Sequence, residues 1–425
     1  MRTLLQGFRI VDADQDFPGA LLIEDGLIAG LYPDRQDQAK KLTLRAADRV
    51  ISGDLGEGRR LAFLPSFVEL HAHFRDPGYP EKESLESASL AAAQGGYGTV
   101  VCMANTKPVL DSTAAAEQLK QRSDSLGLID LYPALSLTKG MDGHDVSHLG
   151  GLASPAVRLL SEDGKDVMDD EVFRQALRQA ATLGLPVSCH CDVGGEDEAT
   201  RRALALAQEL ALQGAGGHIH LAHVSTQGAI AALREAKVIA VKAGAGKLRI
   251  SAEATPHHLA LTEADAIALG ETSWGRVNPA LRRGADRLAV IQALVDGTID
   301  AIATDHAPHT TQDKEGGAPG FTGLETAFAV SYTELVAKGH IDLCRLSKLM
   351  SASAAELLSF ADRGRIKVGL RADLVLIDLD EKWLVDPARF SSKGKNTPFA
   401  GTEVQARIQA CLRGGRLSYD RSYEK

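Results

Sequence analysis

Residues 61–78 read LAFLPSFVELHAHFRDPG, an almost unbroken apolar run that ends in two histidines, an arginine and an Asp-Pro-Gly turn. An apolar run of this kind, closed by turn residues, reads as a buried strand of a parallel sheet. Side chains two apart on a strand share a face, so His71 and His73 can grip one ion where the strand ends. The pattern on either side decides what surrounds them.

Toward the C-terminus, short apolar runs alternate with longer helical ones, the signature of β/α units around a parallel sheet. The candidate strands are Leu61–His71, Thr99–Ala104, Leu128–Leu135, Ala156–Leu160, Leu185–Cys189, His218–Ala222, Leu248–Thr255 and Ile299–Ala303. Helical stretches such as Leu85–Gln94 and Asp169–Leu183 stop at glycine, which readily takes a left-handed cap. This predicts an α/β fold, a TIM-type (β/α)8 barrel over residues 61–358. The beginning of the chain instead alternates polar and apolar residues around turns such as Asp25-Gly26, and the same character returns in 372–378 and 404–417. Residues 1–60 and 359–425 are therefore expected to build one small composite β-sandwich from both termini. The loop Gly244-Ala-Gly246-Lys247 is not a phosphate loop, because Leu248 stands where such a loop needs Ser or Thr.

Composition narrows the partner. The 425 residues are 44% hydrophobic and 24% charged, with a formal net charge of −9, and a nucleic acid or an anionic membrane would favour a basic face instead. A small-molecule partner fits better. Five scattered cysteines do not make a disulfide framework, and Cys189 and Cys191 read as small buried residues at a strand end. With no charged-then-apolar leader pattern and no membrane-length apolar run, a cytoplasmic location is expected.

Further metal-ligand candidates fall after other strands: Asp163 after the fourth, His190 after the fifth, His223 after the sixth and Asp305 after the eighth. That is the C-terminal face of the barrel, where active sites of this fold lie. Imidazoles and carboxylates suit zinc and leave a position open for a water. The remaining histidines are kept apart from this set. His218 and His220 read as satisfied interior residues, His257 and His258 as structural or ligand-orienting groups, and His306 should point away from Asp305.

With HAHFRDPG at 71–78 stand MANTKP at 103–108, NPALR at 278–282, TDHAPH at 304–309 and SKGKNTPF at 392–399. On these motifs the chain resembles, nearly end to end, the dihydroorotases of the amidohydrolase superfamily. The resemblance implies zinc at the strand ends and reversible interconversion of N-carbamoyl-L-aspartate and dihydroorotate. It implies His71, His73, Asp163, His190, His223 and Asp305 as metal ligands, with Asp305 also the proton-transferring catalytic residue. Substrate contacts would come from His73, Arg75, Asn105, Asn278 and His309, and from backbone groups at Pro319 and Gly320. The residues agree with that chemistry: opening a cyclic imide needs a nucleophile at neutral pH, which a metal supplies, and the Arg75 fork matches a carboxylate.

Several positions depart from the family pattern. Pro65-Ser66 stands for a usual Pro-Gly, Glu69 for an Asp, and Cys191-Asp192-Val193 for a Cys-Glu-Asp, while the stretch from His190 to His223 is shorter than usual. Asp163 sits where some relatives carry a carbamylated bridging lysine, and Lys165, two residues on, reads as a solvated charge in a turn. One or two zinc ions both remain open. A homodimer is the expected assembly, and docking on aspartate transcarbamoylase stays open. Two alternatives are a hydantoinase, dihydropyrimidinase or allantoinase acting on related cyclic ureides, and a non-catalytic transcarbamoylase scaffold. A scaffold should have lost ligands, and here every ligand position is filled.

Overall fold

The structure is a computed structural model in which residues 2–34, 48–53, 61–242 and 248–423 are described. The Gly244–Lys247 reading, and the parts of the N-terminal stretch at 35–47 and 54–60, lie outside these residues. The chain opens with β1 (Arg2–Val11), β2 (Asp16–Glu24), β3 (Leu27–Pro33), β4 (Arg49–Ser52) and β5 (Leu61–Pro65). There follow β6 (Phe67–Ala72), β7 (Tyr97–Cys102), β8 (Asp130–Pro133), β9 (Leu160–Ser161), β10 (Pro186–Cys189), β11 (Gly217–Leu221), β12 (Leu248–Ala254) and β13 (Ala301–Ile302). It closes with β14 (Leu374–Leu384), β15 (Glu403–Arg413) and β16 (Arg416–Asp420).

The strand read from Leu61 to His71 is in fact two. Leu61–Pro65 pairs with β14 and β1, whereas Phe67–Ala72 pairs with β7. Both halves are buried throughout, and only Glu69 and His71 interrupt the apolar run, so periodicity could not separate them; the break at Pro65-Ser66 sends the chain from one sheet into the other. The strands of both termini are hydrogen-bonded as one mixed sheet in the order β16-β15-β14-β5-β1-β2-β3, with β4 added to β1, rather than as two separate sheets of a sandwich. Leu5, Phe8, Ile10, Phe63, Leu374 and Leu412 share its apolar interior.

The other strands are all parallel, in two arcs, β6-β7-β8 and β9 to β13 in sequence order. Parallel bridges Leu135↔Leu160 and Ala72↔His306 join the arcs at both ends. Several strands are shorter than the sequence suggested, the third reduced from Leu128–Leu135 to Asp130–Pro133. The fourth is Leu160–Ser161, because Pro155-Ala156 lie in a turn, and the eighth is Ala301–Ile302. Connecting helices include α1 (Leu85–Gln94), α2 (Thr113–Leu126), α3 (Asp170–Leu183), α4 (Glu196–Leu212) and α5 (Gln227–Lys242). Gly184 ends α3 in the expected left-handed conformation, but Gly95 after α1 is right-handed. A side chain there is excluded instead by the Leu324 carbonyl, 2.1 Å from where a Cβ would sit. Among the described residues, no helix is long and apolar enough to cross a membrane.

One buried carboxylate ties the terminal sheet to the parallel strands. Asp130, the first residue of β8, accepts from Arg363 Nη1 at 2.8 Å, Arg371 Nη1 at 2.6 Å and Arg413 Nε at 2.8 Å. Burial alone would raise its pKa, but Arg371, Arg363 and Arg413 outweigh that and hold it at about 2. Asp130→Asn would remove the carboxylate that the three guanidinium groups share, leaving Arg363 to Asp362 and Arg371 to Asp373. Denaturant unfolding should show a loss of about 3 to 5 kcal/mol, the usual cost of removing one partner from a buried ion pair; unchanged stability would mean that the sheets are held together by their apolar contacts.

Candidate metal centre and substrate site

Each candidate ligand sits at, or just beyond, the C-terminal end of a parallel strand, and the local backbone is bent to aim it inward. His223 after β11 has φ 34°, Asp305 after β13 has φ 49°, and Arg75 and Cys191 have φ 57° and 53°. Left-handed conformations are uncommon outside glycine and tend to gather at functional sites. Here they reverse the alternation of the strands, which is why parity could not align His223 with His218 and His220.

Asp163 is the centre of the cluster. Its Oδ1 lies 3.0 Å from His71 Nε2 and 3.5 Å from His190 Nδ1, while Oδ2 lies 3.4 Å from His73 Nε2 and accepts from Asn105 Nδ2 at 3.1 Å. Asp305 Oδ1 is 3.2 Å from His73 Nε2 and 3.5 Å from His71 Nε2. His190 Nδ1 and His223 Nε2 are 2.9 Å apart, and Asn278 Nδ2 lies 3.2 Å from His190 Nε2. All six candidate ligands are buried. Burial works against the charge on Asp163, yet His71, His190 and His73 hold its carboxyl well below the usual range. Burial and the neighbouring His190 and His71 push His223 far down, so it is a neutral imidazole with a free lone pair.

The donor set fits a metal ion. His223 Nδ1 is buried without a hydrogen-bond partner, and His71 Nε2 faces Asp163 without an aligned hydrogen bond, an arrangement that is costly unless something else satisfies them. One ligand atom from each of His71, Asp163 and His223 lies within 4.8 Å of the others, and the same holds for His71, His73 and Asp305. The two groups share His71. Lys165 is exposed, and its Nζ donates to the Met141 carbonyl at 3.0 Å.

A second group lies beside the first. Arg75 Nε donates to the Pro308 carbonyl at 3.3 Å and Nη2 lies 3.2 Å from His309 Nε2. Among the described residues no carboxylate pairs with Arg75. His309, pushed down to about 3 by burial and by Arg75, Lys82 and Lys314, is neutral; its Nε2 is 2.9 Å from the Pro319 carbonyl. Asn105 Oδ1 lies 2.9 Å from His73 Nδ1, which places Asn105 between the two groups. Gly320 is needed for its φ of +130° and because a Cβ would come within 2.6 Å of Ala307 Cβ. Its own N–H donates to Arg276, and its carbonyl accepts from Lys314 and Asn396.

Several supporting residues went unrecognised in the sequence. Glu253 on β12 accepts from His71 Nδ1 at 3.1 Å, a pairing across 182 positions that no local signal announces. Glu69 receives the backbone N–H groups of His71 and Thr304 and so joins β6 to the turn holding Asp305; burial pushes its carboxyl up to about 8. Lys314 is buried and donates to the carbonyls of Arg276, Ala318 and Gly320 at 2.9, 2.9 and 3.0 Å, clamping the two loops that carry Asn278 and Pro319. Asp166 accepts the N–H groups of Cys191, Asp192 and Val193 and so supports the start of the shortened segment after His190. His258 acts on a loop rather than on a ligand, bonding Thr255 and the Pro279 carbonyl. His306 does turn away, toward Glu83 and the Gly323 N–H.

The model of the amidohydrolase family matches residues 62–417. A dihydroorotase of Clostridium botulinum (strain Eklund 17B / Type B) is 37% identical, covering 99% of this chain and 100% of its own. One of Anaeromyxobacter dehalogenans (strain 2CP-C) is 35% identical over 98% of this chain and 97% of its own. The chain therefore belongs to the amidohydrolase family, on the branch of these dihydroorotases. Among solved structures, the L-hydantoinase of Arthrobacter aurescens superposes with a TM-score of 0.84 at 23% identity, over 98% of this chain and 95% of its own. The dihydropyrimidinase of Brevibacillus agri NCHU1002 gives 0.81 at 22%, over 98% and 95%. The chain thus has the fold of these two structures.

If Asp163 is a ligand as well as an anchor for three imidazoles, Asp163→Ala should lower bound divalent metal after dialysis, as read by elemental analysis. Full metal retention would remove Asp163 from the ligand set and direct attention to a carbamate mass on Lys165.

Proposed function

We propose that this protein is a zinc-dependent dihydroorotase, interconverting dihydroorotate and N-carbamoyl-L-aspartate at the end of a closed (β/α)8 barrel. The two arcs of parallel strands with their terminal bridges support the barrel, and four histidines with two aspartates support zinc over harder cations that prefer all-oxygen sites. The observation that carries the substrate is Arg75: a half-buried guanidinium beside the metal cluster with no carboxylate of its own among the described residues. A ring bearing an exocyclic carboxylate supplies that partner, whereas hydantoin or dihydrouracil does not.

His71, His73, Asp163, His190, His223 and Asp305 would hold the metal. Bound zinc supplies a nucleophile near neutral pH and draws electron density from the scissile carbonyl. Asp305, at 3.2 Å from His73, is set to take the proton of the attacking water and deliver it to the departing ring nitrogen. In ring closure the same carboxylate returns it. Arg75, Asn105 and the neutral His309 orient the substrate by its carboxylate and ring edge, and Asn278, beside His190, closes the other side of the site.

The test is a ratio. Loss of a charge-assisted hydrogen bond in Arg75→Met should lower kcat/KM for dihydroorotate by roughly 10- to 150-fold. Weak turnover of dihydrouracil, which never made that contact, should change little. An unchanged ratio of the two specificity constants would mean that Arg75 does not read the carboxylate and would favour a cyclic ureide hydrolase.

A further inference from the structure

Inside the barrel, a row of polar side chains runs from one of the candidate ligands toward the opposite end of β11. Glu253 Oε1 lies 3.1 Å from His71 Nδ1, and its Oε2 lies 3.0 Å from His220 Nε2. His220 Nδ1 is 2.8 Å from Ser251 Oγ, and Ser251 Oγ is 2.7 Å from His218 Nε2. His218 and His220 are two apart on β11, and Ser251 and Glu253 two apart on β12; His220 stands opposite Ser251 in the register. All four therefore face the same side of adjacent strands. Glu253, His220 and Ser251 are buried, each no more than 4% exposed, and His218 at the far end is half-buried.

One assignment of donors and acceptors satisfies the whole row. Glu253 as a carboxylate can only accept, and its two oxygens face His71 Nδ1 and His220 Nε2, so both of those nitrogens carry the protons. His220 therefore donates from Nε2, and its Nδ1 is left to accept from the Ser251 hydroxyl. The Ser251 oxygen in turn accepts from His218 Nε2, whose ring is kept neutral, at about 3, by burial and by His220. In this arrangement each facing pair has one donor and one acceptor. At the other end, with His71 Nδ1 turned to Glu253, Nε2 is the atom that faces Asp163 and Asp305.

We infer that Glu253, backed by His220 and Ser251, is a positioning residue that fixes the tautomer and ring orientation of His71 so that its Nε2 lone pair points into the metal cluster. A carboxylate gripped on both oxygens cannot rotate, so the ring it holds cannot rotate either. The inference rests on the metal-centre reading of the site but not on the identity of the substrate.

The test uses zinc binding rather than turnover. Metal-free protein is titrated with zinc against a chromophoric chelator, and histidine labelled with ¹⁵N reports the His71 tautomer. In Glu253→Gln the amide can accept from only one of the two imidazoles and must present N–H to the other, so one ring is forced to change tautomer. Zinc affinity should fall by roughly 10- to 100-fold, the usual effect of losing a group that orients a metal-binding histidine. The His71 signals should change while circular dichroism of the metal-free protein does not. Should that variant fail to fold, His220→Gln loosens the carboxylate from one side only and should weaken zinc by a smaller factor. Wild-type affinity with an unchanged His71 tautomer in Glu253→Gln, or wild-type affinity in His220→Gln where only that variant folds, would overturn the inference. Because no substrate is involved, failure to turn over dihydroorotate would leave this result readable.

Discussion

The site depends on keeping the Asp163 carboxylate ionised where water scarcely reaches it. Taking such a group out of water costs several kcal/mol even after relaxation, so it stays charged only if its neighbours compensate. Three histidines and the Asn105 amide do so, and they come from both arcs of the parallel strands: His71, His73 and Asn105 from β6 and β7, His190 from β10. The electrostatic demand of one side chain thereby holds strand ends from opposite sides of the molecule within bonding distance. A cation at the same place would satisfy both carboxylates, His71 Nε2 and His223 Nδ1 together.

Around this centre the chain accepts backbone strain and buried polarity that a purely structural barrel would avoid. Positive φ at His223, Asp305 and Arg75 aims side chains that regular strands would turn elsewhere. Each bent segment is then secured from behind: Glu69 holds the backbone of His71 and Thr304, Asp166 holds the turn after His190, and Lys314 with Asn396 holds the loop at Pro319 and Gly320. Arg75 is the exception. It is left facing the site with neutral hydrogen-bond partners, and on the proposed function this is the charge that would favour an anionic substrate over a neutral cyclic ureide.

Much of this was readable from the residues alone. His71-x-His73 was legible because strand parity is strict and the flanking run is apolar, and Asp163, His190, His223 and Asp305 because each follows a recognisable strand. The join between β5 and β6 was hidden, since one sheet's apolar run passes into the other's with only Pro65-Ser66 between them. The short β9 and β13 were overestimated because a two-residue strand leaves no periodicity to read. Glu253 escaped notice for a different reason: a single acid in an otherwise ordinary strand gains meaning only from His71, far away in sequence. His220 was taken as a satisfied interior histidine. It is one, but what satisfies it is the carboxylate that also holds a candidate ligand.

The most direct measurement is reconstitution: strip the purified protein of metal, add zinc in steps, and follow hydrolysis of dihydroorotate and of hydantoin in parallel. The account expects dihydroorotate turnover to rise with bound zinc and to saturate when the site is filled, with hydantoin turnover remaining far lower throughout. Stoichiometric zinc binding with hydantoin as the better substrate, or with no turnover of dihydroorotate at all, would contradict it.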